Sequence, residues 1–278
     1  MKTILIVIAG MGDMPDPATG HDTPLATAHI PGLHTLARRG ELALLPVDSD
    51  TSRLSHKNAL LSLLGYELER GEPSSEELME FGLDHSSNIS NFASLRPFIL
   101  PGFSSHGVCV TTSAWVRGVA KCALLTPKDI YSPGSADAEI LETMARLAVE
   151  AIEKEEFVLL YVDTPLKASL RGDYQAKIRA LEEIDRHLVT PVADFVWKSE
   201  LFIQLAVTSD LITPWHRRRP TVIGVPAILY FNNFDTEGDP DLKFTEVNAM
   251  LSPHKFNDTS DLIRFLINFN VYDDEVTQ

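Results

Sequence analysis

Short unbroken apolar runs alternate along this chain with stretches in which apolar residues return every three or four positions. Thr3 to Ile8 is a continuous β-branched and aliphatic run, the pattern of a strand covered on both faces. Gly10, Gly12, Pro15 and Pro17 make the following segment a loop. A helical period then runs from about Pro31 to Arg39 and stops at Gly40. Leu42 to Val47 predicts a short strand, and Ser55 to Leu64 a helix closed by Gly65. Further strands are expected at Gly107–Thr112, Phe157–Val162, Leu201–Thr208 and Thr221–Phe231, and helices at Ala136–Lys154, Asp173–Lys198 and Thr259–Asn268. In the long helix Leu181, Ile184, Leu188, Val192 and Phe195 form one apolar stripe.

This alternation predicts an α/β fold of three layers, a mostly parallel sheet with helices on both faces. Ligands in such folds sit beyond the carboxyl ends of the strands, which directs attention to Ala9–Pro17, the turn before Ser55, Asp163–Asp173 and Asp210–Pro220. Neither an internal repeat nor a second domain is visible, so residues 1–278 read as one domain. Residues 68–105, with Pro73, Ser74, Ser75, Ser86, Ser87 and Ser90, break the pattern and are expected to be a surface excursion without a core of its own.

Composition narrows the function classes. The chain has 24 Lys+Arg against 39 Asp+Glu, a formal charge of −15, with 44% hydrophobic and 23% charged residues. That excludes disorder and argues against binding duplex nucleic acid, which needs a basic face. A small anion in a local cationic pocket stays compatible with it. Cys109 and Cys122 are too few for a disulfide framework or a four-thiolate zinc site and read as small buried hydrophobes. The apolar run Ile4–Ala9 is too short for a signal peptide, and no stretch is long enough to cross a bilayer, so the expected location is cytoplasmic.

Candidate chemistry is sparse. Arg117 and Lys121, four apart at the start of a helix, share a face that could clamp a phosphate or carboxylate; a solvated or ion-paired face is the alternative. Arg217, Arg218 and Arg219 form a basic run that is either solvent-exposed or in contact with an anion or a partner. Gly10 and Gly12 make a turn, too weak a pair for a nucleotide fingerprint. Ser55 and His56 suggest a nucleophile and base, but helical neighbours point apart. His21, His29 and His34 fit no helical metal spacing, and Asp273, Asp274 and Glu275 are assigned only to solvation.

Several segments, in order, resemble the archaeal-type cofactor-independent (2,3-bisphosphoglycerate-independent) phosphoglycerate mutases. They are IVIAGMGDMPDP, TGHDTPLATAHIPGLHTLARRG, ALLSLLGYE, WVRGVAK, GDYQAKIRALEEIDR, TSDLITP, GVPAIL and KFND. The resemblance runs end to end except for roughly residues 68–105, where that family carries an inserted domain that this chain lacks. It implies an alkaline-phosphatase-like α/β core and an ancestry in phosphoryl transfer. The family reaction uses two divalent metal ions (Mn, Zn or Mg) and a transiently phosphorylated serine.

At the positions that would hold those metals the chain departs from the pattern. The Asp expected before Gly10 is Ala9. The Asp-x-x-x-His pair falls on Leu166 and Leu170, and the Asp-His pair on Asp210 and Leu211. The last His falls on or near Pro220, with His216 as a possible stand-in. Ungapped alignment places His56 at the nucleophile, and a one-residue shift restores Ser55. Leucine cannot ligate a cation, so the binuclear centre reads as dismantled and no cofactor is expected, with Asp210 a remnant. The leading expectation is a non-catalytic relative kept for binding a small phosphorylated metabolite or a protein partner. The alternative is a metal-dependent mutase, or a related phosphotransferase or phosphatase with an altered site and one metal or none, acting on a small phosphorylated metabolite through Ser55, Arg117, Lys121, Arg217, Arg218 and Asp210.

Overall fold

The computed structural model describes residues 2–47, 50–66, 68, 73–84, 88–92, 94–98, 100, 107–130, 134, 136–234 and 238–266. Their elements in chain order are β1 (Lys2–Ile8), α1 (Pro24–Thr27), α2 (Pro31–Arg39), β2 (Glu41–Leu45), α3 (His56–Leu63), α4 (Ser75–Leu83), β3 (Gly107–Thr111) and α5 (Ala114–Cys122). There follow β4 (Thr126–Lys128), α6 (Asp137–Ile152), β5 (Phe157–Val162), α7 (Thr164–Arg171), α8 (Tyr174–Ile184), α9 (Thr190–Lys198), β6 (Ile203–Thr208), β7 (Val225–Phe231) and α10 (Glu246–Leu251). Residues 261–266 are also helical. Asp273, Asp274 and Glu275, Ser86 and Ser87, and the end of the expected helix Thr259–Asn268 lie outside the described residues.

The seven strands form one sheet in the order β2-β7-β6-β1-β5-β3-β4. β1 lies at its centre, parallel to β5 and β6, and β7 runs antiparallel to β6 and β2. The mostly parallel α/β sheet is therefore present, with β7 reversed. Ile4, Ile6 and Ile8 of β1 face a core shared with α2, α6, α8 and α9, while Leu5 and Val7 face α3, α4, α5 and residues 262–266. This two-sided burial is what the unbroken run at Thr3–Ile8 requires.

Three local departures have identifiable causes. The helix expected over Asp173–Lys198 is interrupted by a π turn at Asp185–Val189, where the Thr190 N–H donates to Asp185 O. Pro191 follows, and its missing N–H removes a rung of the α ladder. β4 escapes the periodicity because Thr-Pro-Lys carries no apolar pattern. Within the irregular stretch, α4 packs on α5 backbone to backbone. A Cβ at Gly82 would overlap the Ala114 carbonyl, and one at Gly118 the Leu78 carbonyl. Among the described residues of 68–105, Leu78, Phe81, Leu95 and Leu100 are buried in the same cluster as Leu5 and Val7 of β1.

Candidate functional site at the carboxyl edge of the sheet

The loops after β1, β5 and β6 meet where the sheet order places a ligand site. Gly10 takes φ +65°, and a Cβ there would stand 3.0 Å from the Leu166 Cα, so α7 rests directly on the first loop. Ile212 closes on Gly12 in the same way.

Beneath these loops lies a buried ion pair that the periodicity alone did not reveal. Lys177 Nζ donates to Asp13 Oδ2 at 2.7 Å, Gly12 O at 2.9 Å and Thr213 O at 3.1 Å, and both side chains of the pair are wholly buried. Asp13 also accepts from the N–H groups of Met14 and Trp215. The Asp13 N–H donates to Glu246, whose second oxygen accepts from the Thr23 hydroxyl. Burial lowers the Lys177 ammonium pKa against the opposing pull of Asp13, and burial raises that of the Glu246 carboxyl. One signal for this pair was present in the sequence: Lys177 stands four residues before Leu181 and so on the apolar stripe of α8.

The second pair centres on Asp210. The His56 Nδ1 lies 2.8 Å from Asp210 Oδ2, a close contact outside hydrogen-bond geometry. Tyr161 donates its phenol to the same oxygen at 2.9 Å. Oδ1 accepts from the Leu211 N–H at 2.7 Å and the Ser209 hydroxyl at 3.4 Å. Burial first, then the Asp210 charge, raises the Tyr161 phenol well above its ordinary pKa, so it stays a donor. The far ring nitrogen of His56 meets the Thr213 hydroxyl at 2.9 Å. Thr213 thus serves both pairs, its carbonyl toward Lys177 and its hydroxyl toward His56.

Ser55 caps α3, accepting from the Asn58 N–H at 3.2 Å. Its side chain lines a small cleft of about 30 Å³ with Arg53, Asn58, Asp210 and Leu211. Arg53 was not anticipated from the sequence. His56 starts α3 and turns to Asp210, so the neighbours diverge as expected and form no dyad.

The other expected residues go elsewhere. Arg117 and Lys121 share a face, but both donors of the expected anion clamp are taken by neighbouring structure. Arg117 donates to Gly82 O, Lys128 O and Asp129, and Lys121 to Phe81 O and Asp84 O, where they cap the carboxyl end of α4. Arg217, Arg218 and Arg219 are exposed; Arg218 lies over Gly172. His216 stands 3.5 Å from Asp16. His34 accepts from the Phe244 N–H in α2.

The residues present do not fit a binuclear metal centre. A carboxylate has about four lone-pair sites, and those of Asp210 face His56, Tyr161, the Leu211 N–H and Ser209. Ala9 is a buried methyl, Leu166 packs into the core, Leu211 is buried and Leu170 points to solvent. Pro220, half-buried, offers no donor. Among the described residues no three His, Cys, Asp or Glu side chains converge on a common point.

No family model matches the chain. Curated phosphoglycerate mutases of the cofactor-independent type do. That of Aeropyrum pernix is 31% identical over 113 residues, covering 41% of this chain and 27% of the mutase. That of Pyrobaculum calidifontis is 34% identical over 136 residues, covering 49% and 31%. The Methanosarcina mazei mutase is 22% identical over 201 residues, covering 72% and 48%. The matched stretch spans less than half the length of each of these relatives. Among solved structures, the PH0037 protein of Pyrococcus horikoshii superposes with a TM-score of 0.75 at 21% identity, over 96% of each chain. The cofactor-independent mutase of Thermoplasma acidophilum gives 0.64 at 16% identity, over 97% of this chain and all of that one. The sheet order and these superpositions define the fold, a mostly parallel α/β sheet shared with the Thermoplasma acidophilum mutase. In sequence the chain is similar to archaeal cofactor-independent phosphoglycerate mutases over 41–72% of its length.

Proposed function

We propose that the chain is a non-catalytic relative of the cofactor-independent phosphoglycerate mutases, a cytoplasmic protein whose fold serves binding or assembly with a partner rather than phosphoryl transfer. One observation carries this reading: Asp210, the carboxylate that survives from the family's ligand pattern, accepts from the Tyr161 phenol and the Leu211 N–H, and His56 and Ser209 stand close against it. Phosphoryl transfer depends on cations that stabilise charge as it develops. A carboxylate engaged in this way, among leucines and a buried methyl, is a poor place for them.

The test is metal content of the purified protein, with mutase and phosphatase assays in Mn²⁺, Zn²⁺ and Mg²⁺. Substoichiometric metal and no turnover are expected. Turnover that a divalent ion stimulates and Ser55→Ala abolishes overturns the reading. A second reading, an altered phosphatase or phosphotransferase acting on a small phosphorylated metabolite, draws support from Ser55 and Arg53 sharing a cleft with Asp210. Its signature is metal-independent turnover lost in both Ser55→Ala and Arg53→Ala.

A further inference from the structure

In a chain of charge −15, several cations find carboxylates: Arg146 pairs with Glu150, Lys167 with Asp163 and Lys198 with Asp194. Arg171 and Arg179 do not, as Lys154, Arg186, Arg217 and Arg219 do not: both are exposed, and among the described residues neither guanidinium has a hydrogen bond or ion pair. Both also line the same groove, of about 330 Å³, bounded by α6, α7 and α8. Ala168 and Ala180 are among its lining residues. Its size is that of a small-metabolite site.

Local structure holds the cations at this corner. Arg171 ends α7, where the helix dipole favours positive charge. Gly172 follows in the left-handed region at φ +74°, and the guanidinium of Arg218 lies against it, so that a Cβ at 172 would overlap the Arg218 Nε. Arg218 itself adopts φ +55° to reach that position. Asp137 at the start of α6 and Glu183, one turn beyond Arg179 on α8, also line the groove, Glu183 with one oxygen 3.3 Å from His187. A bare anion would leave those carboxylates facing it. An anion that also carries hydroxyl or amine groups would satisfy both the guanidinium groups and the carboxylates.

We propose that the α6–α7–α8 groove binds a small phosphate ester or carboxylate bearing hydroxyl or amine donors, with Arg171 and Arg179 gripping the anion and Asp137 and Glu183 accepting from the donors. Planar guanidinium groups suit this role because each offers paired donors to two oxygens. The site is separate from the cleft at Ser55 and does not depend on whether that cleft is catalytic.

Isothermal titration calorimetry with glycerol 3-phosphate, citrate and inorganic phosphate tests this on the full chain, alongside Ser55→Ala and the double variant Arg171→Gln/Arg179→Gln. Both arginines are exposed and glutamine keeps helix propensity, so the double variant is expected to show an unchanged far-ultraviolet spectrum and melting temperature. Saturable binding of a hydroxylated probe, weakened about tenfold or more in the double variant and unchanged in Ser55→Ala, is the expected result. Absence of saturable binding of every probe below about 10 mM overturns the proposal. So does binding that survives the double substitution, or binding lost in Ser55→Ala alone.

Discussion

Two buried carboxylates lie on either side of Thr213, and they differ in their partners. Lys177 and Asp13 belong to segments in which the chain resembles its mutase relatives, Gly-Asp-x-x-x-Lys and Gly-Met-Gly-Asp. Their pairing ties the loop after β1 to α8, the loop after β6 and, through Glu246, α10. His56 and Asp210 combine one residue of the family pattern with one foreign to it. A buried carboxylate without a neutralising neighbour is costly. At Asp13 that neighbour is an ammonium; at Asp210 an imidazole ring and a phenol stand against the carboxylate. The two sides of Thr213 thus meet their carboxylates with different chemistry.

If that contrast is right, the pairs will respond unequally to substitution. Lys177→Met is expected to cost about 3–5 kcal/mol in urea denaturation, because it strands Asp13 in the interior. A loss below about 1 kcal/mol would show that the knot does not hold the loops together. His56→Ala is expected to cost less, about 1–3 kcal/mol, since Asp210 keeps Tyr161 and the Leu211 N–H as donors. Equal losses in the two variants would erase the distinction. Arg117→Ala, remote from both pairs, should cost about 1 kcal/mol, with the loss read as faster amide exchange in α4 alone. Its partner Asp129 is exposed, so that ion pair adds little. The smallest effect is a chemical control. Burial pushes the Cys109 thiol up to about 12, so a thiol reagent should leave it unlabelled at neutral pH until the sheet opens. Labelling of Cys109 in Lys177→Met but not in His56→Ala would sharpen the contrast further.

Much of the fold was legible because two-sided burial leaves an unbroken apolar run, as in β1, β3 and β5, and a half-buried helix leaves a stripe, as in α8. The site was less so. That Leu166 and Leu170 cannot ligate a metal follows from residue type. That one enters the core while the other meets solvent depends on how α7 sits on Gly10. Arg117 and Lys121 were rightly placed on one face of α5, yet helical spacing says nothing of what that face meets. Here it is the carbonyl end of α4, a helix inside the stretch where periodicity failed. The π turn carries the same lesson. Asp185 stands beside the stripe, and only the bulge before Pro191 shows it capping α2 through the Gly32 and Leu33 N–H groups.

The sequence by itself determined the class of fold, the two-sided burial of β1 and the absence of ligating side chains at Ala9, Leu166, Leu170 and Leu211. Those properties reside in single side chains or in their spacing along one element. Tertiary structure alone decided that Lys177 is a buried counter-ion, that His56 closes Asp210, and that Arg171 and Arg179 are without partners beside a groove. A charge acquires its role from the charges and carbonyls brought within about 3 Å of it, and residues far apart in the chain supply them.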